Sequence, residues 1–460
     1  MSIFGVCGVQ NASQVIYFGL HALQHRGQEG AGVAVFDNEG VCHNHRGLGL
    51  AGEVFSKGRV IDMPGSLGIG STQYANAAKG GLDNVQPLCF HHKSGDIAIA
   101  GEGNLINARQ LSDYLEDNGC FFHTRTDSEI LANLIKKEGR EERIFRIQNA
   151  LNMMEGGFAY VILTKNRIYA TRDKYGIKPL ALGRLGDGWV VSSETCAFEL
   201  IGAEYIRDVE PGEIVTLDVH GLRSTRYSNF QKHKVCSMEY IYIARPDSDI
   251  DGCNVHNFRK EVGRRLAKEC PADADIVVGV PDSGLSAAMG YAEQSGIPYE
   301  TGLIKNRYIA RTFIQPTQTM REKSVQMKLS AVRSVVAGKR LVLVDDSIVR
   351  GTTCLKIVKL LRAAGAAEIH VRIASPMMKH PCYYGVDTST REELLCSDRG
   401  LDEACRMIEA DSLGYASCET CVASTNGCSE LCMACFNGEY PTSLYKYEPD
   451  PELFETIEND

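Results

Sequence analysis

At 460 residues the chain exceeds what one typical hydrophobic core supports, so two or perhaps three domains are expected. With 44% hydrophobic and 23% charged residues it has the composition of a globular protein, and a net charge of −9 without a basic cluster leaves no electrostatic footprint for nucleic acid. No apolar run reaches the roughly 18 residues of a membrane helix, and "MSIFGV" lacks the basic start and long apolar stretch of a signal peptide, so a cytoplasmic location with no membrane partner is the default expectation.

The first half is rich in short runs of Val, Ile, Tyr and Thr at period two, bounded by glycine. "GSLGIGSTQY", "GDIAIAGEG", "GFAYVILTKNRIYATR", "GWVVSSE" and "GEIVTLDVHGLRSTRYS" predict antiparallel strands. Helical periodicity lies between them in "SQVIYFGLHALQHRG" and in "DSEILANLIKKEG", which opens on an Asp-Ser cap. Residues 1–235 therefore predict a layered α+β domain. After about residue 235 the rhythm changes: "ADIVVGV" is a continuous apolar run, as in a parallel strand buried on both faces. Helix "LSAAMGYAEQSG", strand "KRLVLVDD", helix "CLKIVKLLRAAGA" and strand "EIHVRIAS" follow, with Gly365 placed to stop the second helix. This alternation predicts a Rossmann-like parallel sheet within residues 236–460.

"LVLVDDSIVRGTT" is the most informative stretch. An apolar strand delivers Asp345 and Asp346 to its carboxyl end, where ligands of open α/β sheets bind. The loop through Gly351 into Thr352 and Thr353 offers backbone N–H groups and a helix N-terminus to a phosphate. Two acids beside a phosphate cradle suit a sugar phosphate.

The stretch resembles the motif that binds 5-phosphoribosyl pyrophosphate (PRPP) in type I phosphoribosyltransferases. Further stretches, among them "YFGLHALQHRGQEGAG", "SSETCAFELIGAEY", "ASPMMKHPCYYGVDTST" and "CMACFNGEYPT", are similar to the amidophosphoribosyltransferase family, over essentially the whole chain. The resemblance implies an Ntn-hydrolase-like four-layer domain followed by a type I phosphoribosyltransferase domain with a Cys-rich end. It implies that Asp345 and Asp346 hold the ribose hydroxyls and meet Mg²⁺, which is bound largely through substrate. Ser347, Arg350, Gly351, Thr352 and Thr353 would surround the 5-phosphate, with Asp282 and Ser283 near pyrophosphate. Residues 305–324 correspond to the family's lid, whose Lys305, Arg307, Arg311, Arg321 and Lys323 suit a polyphosphate charge.

Cys432 and Cys435 have the spacing of a metal pair. Some family members carry a [4Fe–4S] cluster, and its other ligands would fall at Cys236 and Cys382; zinc or an unmetallated pair are the competing readings. Cys418, Cys421 and Cys428 form a second cluster with no assigned role.

At the N-terminus the resemblance breaks. The family's glutaminase nucleophile is a Cys at residue one, and the match of "IFGV" places it opposite Met1. Cys7 lies inside the first strand, out of register. The Arg that clamps the glutamine carboxylate corresponds to Gln73, and the oxyanion Asn to Glu102, whereas Asp127, Gly103 and Arg26 are retained. Ser2, exposed by Met removal, is the remaining candidate nucleophile. The expectation drawn from this is a degenerate glutaminase site. The enzyme would be PRPP-dependent, taking ammonia or another small amine rather than glutamine, with Glu102 facing Gln73 to receive a cationic amine. The alternatives are a conventional glutamine-dependent enzyme of purine synthesis, or a noncatalytic regulator binding PRPP or nucleotides. By resemblance a homo-oligomer with nucleotide effectors is expected.

Overall fold

The computed structural model describes residues 1–55, 63–74, 81–92, 95–137, 142–229, 233–306, 329–388 and 390–444. The lid residues Arg307, Arg311, Arg321 and Lys323 lie outside this set. No helix among the described residues is long and apolar enough to cross a membrane.

The first half stacks two antiparallel sheets between helices. One sheet contains β1 (Ser2–Cys7), β2 (Gly30–Phe36), β3 (Cys42–Leu48), β4 (Leu67–Gln73), β9 (Ala181–Leu185), β10 (Gly188–Ser192) and β11 (Glu204–Asp208), in the order β11-β9-β10-β1-β4-β2-β3. The other contains β5 (Leu88–Phe90), β6 (Ile97–Leu105), β7 (Gly156–Thr164), β8 (Arg167–Arg172), β12 (Glu213–Asp218) and β13 (Gly221–Arg226), in the order β13-β12-β8-β7-β6-β5. Strand β1 shows why the stack forms. Ile3 and Cys7 join the apolar layer between the sheets, with Ala98, Val161 and Leu182. Phe4 and Val6 turn the other way, onto the outer layer with Ile16 and Leu20 of helix Ala12–Ala22. Period two thus serves two cores at once, and every residue of β1 is buried. Helices Ala108–Asp117, Asp127–Lys137 and Arg143–Met153 cover the second sheet. The four layers are helix, sheet, sheet, helix.

The second half carries a four-stranded parallel sheet: Ile276–Gly279, Arg340–Asp345, Glu368–Ile373 and Ser412–Tyr415, adjacent in that order. The continuous apolar runs are buried on both faces, as parallel strands require. Helix Leu285–Ser295 stops at Gly296, which takes the left-handed φ of 75°. Helix Thr352–Ala363 stops just before Gly365, at φ 98°. Short parallel strands Val235–Cys236 and Leu431–Cys432 pair with each other, so the C-terminal Cys-rich segment is tied to the start of this half.

Candidate functional site

Asp345 ends its strand and Asp346 begins the loop; both are more than nine-tenths buried. The Asp346 N–H donates to Asp345 Oδ1 at 2.9 Å, and the Ser347 hydroxyl to Asp346 Oδ2 at 2.6 Å. Burial, then the charge of Asp346, pushes Asp345 well above the usual carboxylate range. Such a pair has surplus acceptor capacity that vicinal hydroxyls or a cation would satisfy.

Gly284 explains how a second loop reaches these acids. A Cβ there would sit 2.5 Å from the Val344 carbonyl oxygen and 3.1 Å from Asp345 Cα, so only glycine lets this loop lie against the strand end. The same loop presents Asp282, whose Oδ2 accepts from Lys305 Nζ at 2.6 Å. Gly351, at φ 77°, turns the chain into helix Thr352–Ala363, leaving Thr352 and Thr353 exposed at its N-terminus. One expected contact is arranged differently: the Arg350 guanidinium is ion-paired with Glu393, an exposed pair that solvent weakens. Sequence reasoning missed Arg259. It is buried, donates to the carbonyls of Tyr240 and Ala244 at 2.7 and 2.8 Å, and has Asp346 among its charged neighbours. An Arg inside "HNFRKEVGRRL" carries no local signal of that role.

Cys236, Cys382, Cys432 and Cys435 come together. Cys236 and Cys432 are paired across the short parallel strands, and all four feel one another electrostatically. Cys236, Cys432 and Cys435 are buried, which raises each thiol, Cys236 to about 11. Among the described residues no three or more ligating side chains are drawn to coordinating distances. The donor set nevertheless fits an iron–sulfur cluster: four sulfurs in one apolar site, whose mutual repulsion as thiolates a cationic centre would relieve. The second cysteine group does not act as a unit. Cys421 is buried on helix Cys418–Ala423, while exposed Cys428 neighbours Cys253.

Met1, Gln73 and Glu102 line a single N-terminal pocket with Gln86, Gly103 and Asp127. Its free volume is about 30 Å³, and no described lining residue is a cysteine. The Met1 amine donates to the Arg26 carbonyl oxygen at 2.8 Å, and burial pulls it down to about 5. The Arg26 guanidinium is buried among three carboxylates: Glu194 at 2.8 Å, Glu239 at 2.7 Å and Glu102 at 3.3 Å. Lys178 joins from the side, 3.4 Å from Glu239. Burial would raise Glu194, but the hydrogen bonds and charges of His25 and Arg26 hold it below the usual range. Glu102 moves the other way, raised by burial against the opposing pull of Arg26. At neutral pH the amine thus sheds its charge and burial disfavours the ionised form of Glu102, while Arg26 and Lys178 balance Glu194 and Glu239. Three sequence expectations are corrected here. Glu102 faces Arg26, and Gln73 Oε1 accepts instead from the Gln86 N–H at 3.3 Å. Arg26 is fully engaged within the protein, reaching across to Glu239 of the second half. The Ser2 hydroxyl is buried in a 2.7 Å bond with Thr72 rather than presented to the pocket. Cys7 is buried and pushed up to about 12 by its apolar surroundings and Asp218, so it is no nucleophile.

A glutamine amidotransferase domain profile matches residues 80–199, and a phosphoribosyl transferase domain profile matches residues 255–396. The chain is 50% identical over 462 residues to the amidophosphoribosyltransferase of Bacillus subtilis (strain 168), covering 99% of this chain and 97% of that one. It belongs to the amidophosphoribosyltransferase family. The enzyme of Staphylococcus aureus (strain Mu50) is 44% identical over 453 residues, covering 97% of this chain and 92% of that one. The solved glutamine PRPP amidotransferase from B. subtilis, described as complexed with ADP and GMP, superposes with a TM-score of 0.92 at 50% identity, over 97% of this chain and 98% of that one. A structure described as the allosteric regulatory enzyme of purine biosynthesis matches equally, with a TM-score of 0.92.

Membership of the amidophosphoribosyltransferase family makes the chain a pentosyltransferase with an Ntn-hydrolase domain followed by a phosphoribosyltransferase domain. It also overturns the expectation of a degenerate glutaminase and a glutamine-independent enzyme acting on another amine. The glutamine amidotransferase domain is matched through the stretch that contains Glu102 and Asp127, and the full-length relatives are amidophosphoribosyltransferases. Of the three positions in question, Glu102 lies within the matched stretch, and Met1 and Gln73 lie before it.

Proposed function

We propose that this chain forms 5-phosphoribosylamine from PRPP, with nitrogen drawn from glutamine, as the nitrogen-incorporating step of purine synthesis. The observation that carries the reading is the buried Asp345–Asp346 pair beneath the Gly284 loop, beside a helix N-terminus. The ribose hydroxyls donate to these carboxylates. The 5-phosphate rests on the N–H groups of residues 347–353, with the hydroxyls of Ser347, Thr352 and Thr353, and Arg350 turns from Glu393 to meet it. Asp282 and Ser283 flank the pyrophosphate, with Lys305 supplying a positive charge and Arg307 assigned by position alone. Water cleaves the glutamine amide to glutamate and ammonia; the ammonia lone pair attacks C1, the C1–oxygen bond breaks, pyrophosphate leaves with the electron pair, and the new ammonium gives up a proton to become the amine. Water excluded from this crevice cannot capture the cation-like ribosyl centre.

Mg²⁺ would bind through PRPP oxygens with Asp345 and Asp346, offsetting the charge accumulated on pyrophosphate. Cys236, Cys382, Cys432 and Cys435 are the residues that would hold a [4Fe–4S] cluster, cross-linking the C-terminal segment to the start of the second half. Nucleotide effectors and a homo-oligomeric assembly complete the reading; the ADP and GMP of the B. subtilis structure support the former.

The test is anaerobic pyrophosphate release from PRPP and Mg²⁺, comparing glutamine with ammonium. Turnover with glutamine is expected. Turnover with ammonium and none with glutamine overturns the nitrogen source, and silence with both overturns the activity.

A further inference from the structure

A cavity of about 640 Å³ opens in the first half; it shares no lining residue with the N-terminal pocket, although its Asp83 and Glu129 are chain neighbours of that pocket's Asn84 and Ser128. It lies between helices Asp127–Lys137 and Arg143–Met153 and the edge strand Leu88–Phe90. Its size falls within the range of small-molecule sites. Four cations line it: Arg46, Lys136, Arg143 and Arg146.

Arg146 is the unusual member. It is 9% exposed, its buried Nε–H has no hydrogen-bond partner, and among the described residues no carboxylate pairs with it. A buried donor without a partner is costly, so proteins rarely keep one without a use. The carboxylates of the lining do not answer it. Glu129 is committed to the backbone of His123 and Thr124, at 2.9 and 2.6 Å, and to the Thr124 hydroxyl. Asp83 is exposed at the rim. Arg143 is lowered by its burial and by the like charges of Arg146 and Arg167, a sign of cationic crowding. A second donor, the amide Nδ2 of Asn133, is also buried in this lining without a partner. The same lining offers aromatic surface: Phe90, and Phe121, which is 84% exposed.

We propose that this cavity binds an organic phosphate, with the phosphate on Arg146, Arg143 and Asn133 and an aromatic body on Phe90 and Phe121. Guanidinium forks match phosphate oxygens bidentately, and a flat apolar body buries the exposed ring. The anion supplies the charge that Arg146 lacks.

Hydrogen exchange read by mass spectrometry on the full chain tests this, because it separates the cavity from the PRPP crevice. Adenosine monophosphate and inorganic phosphate are the probes. Adenosine monophosphate is expected to slow exchange in residues 127–137 and 143–153, with tenfold or more loss of affinity there in Arg146→Met. Inorganic phosphate is expected to bind the same segments at least tenfold more weakly. Phe121→Ala, at an exposed position that folding tolerates, should weaken adenosine monophosphate several-fold and leave phosphate unchanged. Slowing confined to residues 341–353, or slowing in the helices that survives Arg146→Met, overturns the site. Equal affinity for the two probes, or no effect of Phe121→Ala, overturns the aromatic half of the assignment.

Discussion

The two halves of the molecule treat buried charge in opposite ways. In the PRPP crevice, Asp345 and Asp346 are buried against each other, with no cation among the described residues paired to either, and their charge is left for a ligand to answer. In the N-terminal pocket, charges of both signs are closed upon one another: Arg26 and Lys178 against Glu194 and Glu239, with the Met1 amine held neutral and the charge of Glu102 disfavoured by burial. An unbalanced cluster is poised to bind, while a balanced one holds structure together. Arg26 shows the second role directly, since its partner Glu239 comes from the second half.

Breaking the balanced cluster should have the largest effect. Arg26→Met leaves buried carboxylates from both halves unanswered, and should lower unfolding free energy by about 3–5 kcal/mol, read from urea denaturation. A loss below about 1 kcal/mol would mean that these charges are solvated after all. The pH dependence sharpens the same point. The Met1 amine is lowered from 8.0 to about 5, so between those values the unfolded chain binds the extra proton. Its contribution is fully present above pH 8, falls as pH drops, and is gone below about pH 5, a change of about 4 kcal/mol. Glu102 opposes this, because a raised carboxyl favours the folded state at low pH and loses that contribution as pH rises. In Glu102→Gln only the amine remains of this pair, so the urea midpoint should climb more steeply from pH 5 to pH 8 than in the parent. An unchanged slope would show that Glu102 does not oppose the amine.

The unbalanced pair predicts a catalytic loss rather than a structural one. Asp345→Asn removes a carboxyl whose ionisation burial and Asp346 already oppose, so folding should hold or improve slightly. Pyrophosphate release should fall by about 10²–10³-fold, since the amide cannot accept from ribose hydroxyls at both of its atoms. A variant that unfolds, or one that keeps its activity, would place the essential charge elsewhere.

Much of this was legible in the sequence, unevenly. The strand ending in Asp345, the loop through Gly351 and the helix after it were readable because apolar run, acids and glycine sit within thirteen residues. The register of "IFGV" against the family's motif placed Cys7 inside the first strand, where it is buried. Of the four converging cysteines, Cys432 and Cys435 were legible by their spacing, while Cys236 and Cys382 came from resemblance alone, as nothing local links them. The partner of Glu102 was not legible: Arg26 and Glu239 are distant in sequence and meet only across the joined halves. The nitrogen donor was misread because three single positions were weighed above the likeness of the whole chain to glutamine-dependent relatives.

The smallest expected effect separates the loop from the acids it covers. Gly284→Ala would set a Cβ 2.5 Å from the Val344 carbonyl oxygen, and backbone cannot yield as a flexible side chain does. The loop bearing Asp282 and Ser283 must then lift from the strand end, costing about 1–3 kcal/mol of stability. The acids themselves stay on their strand, so ribose contacts survive while the pyrophosphate contacts shift. KM for PRPP should therefore rise several-fold with a smaller change in kcat, because the lost contacts belong mostly to binding. A kcat loss as deep as that of Asp345→Asn, with KM unchanged, would instead mean that the loop acts on the transition state. The division of labour between the glycine loop and the acidic pair would then have to be redrawn.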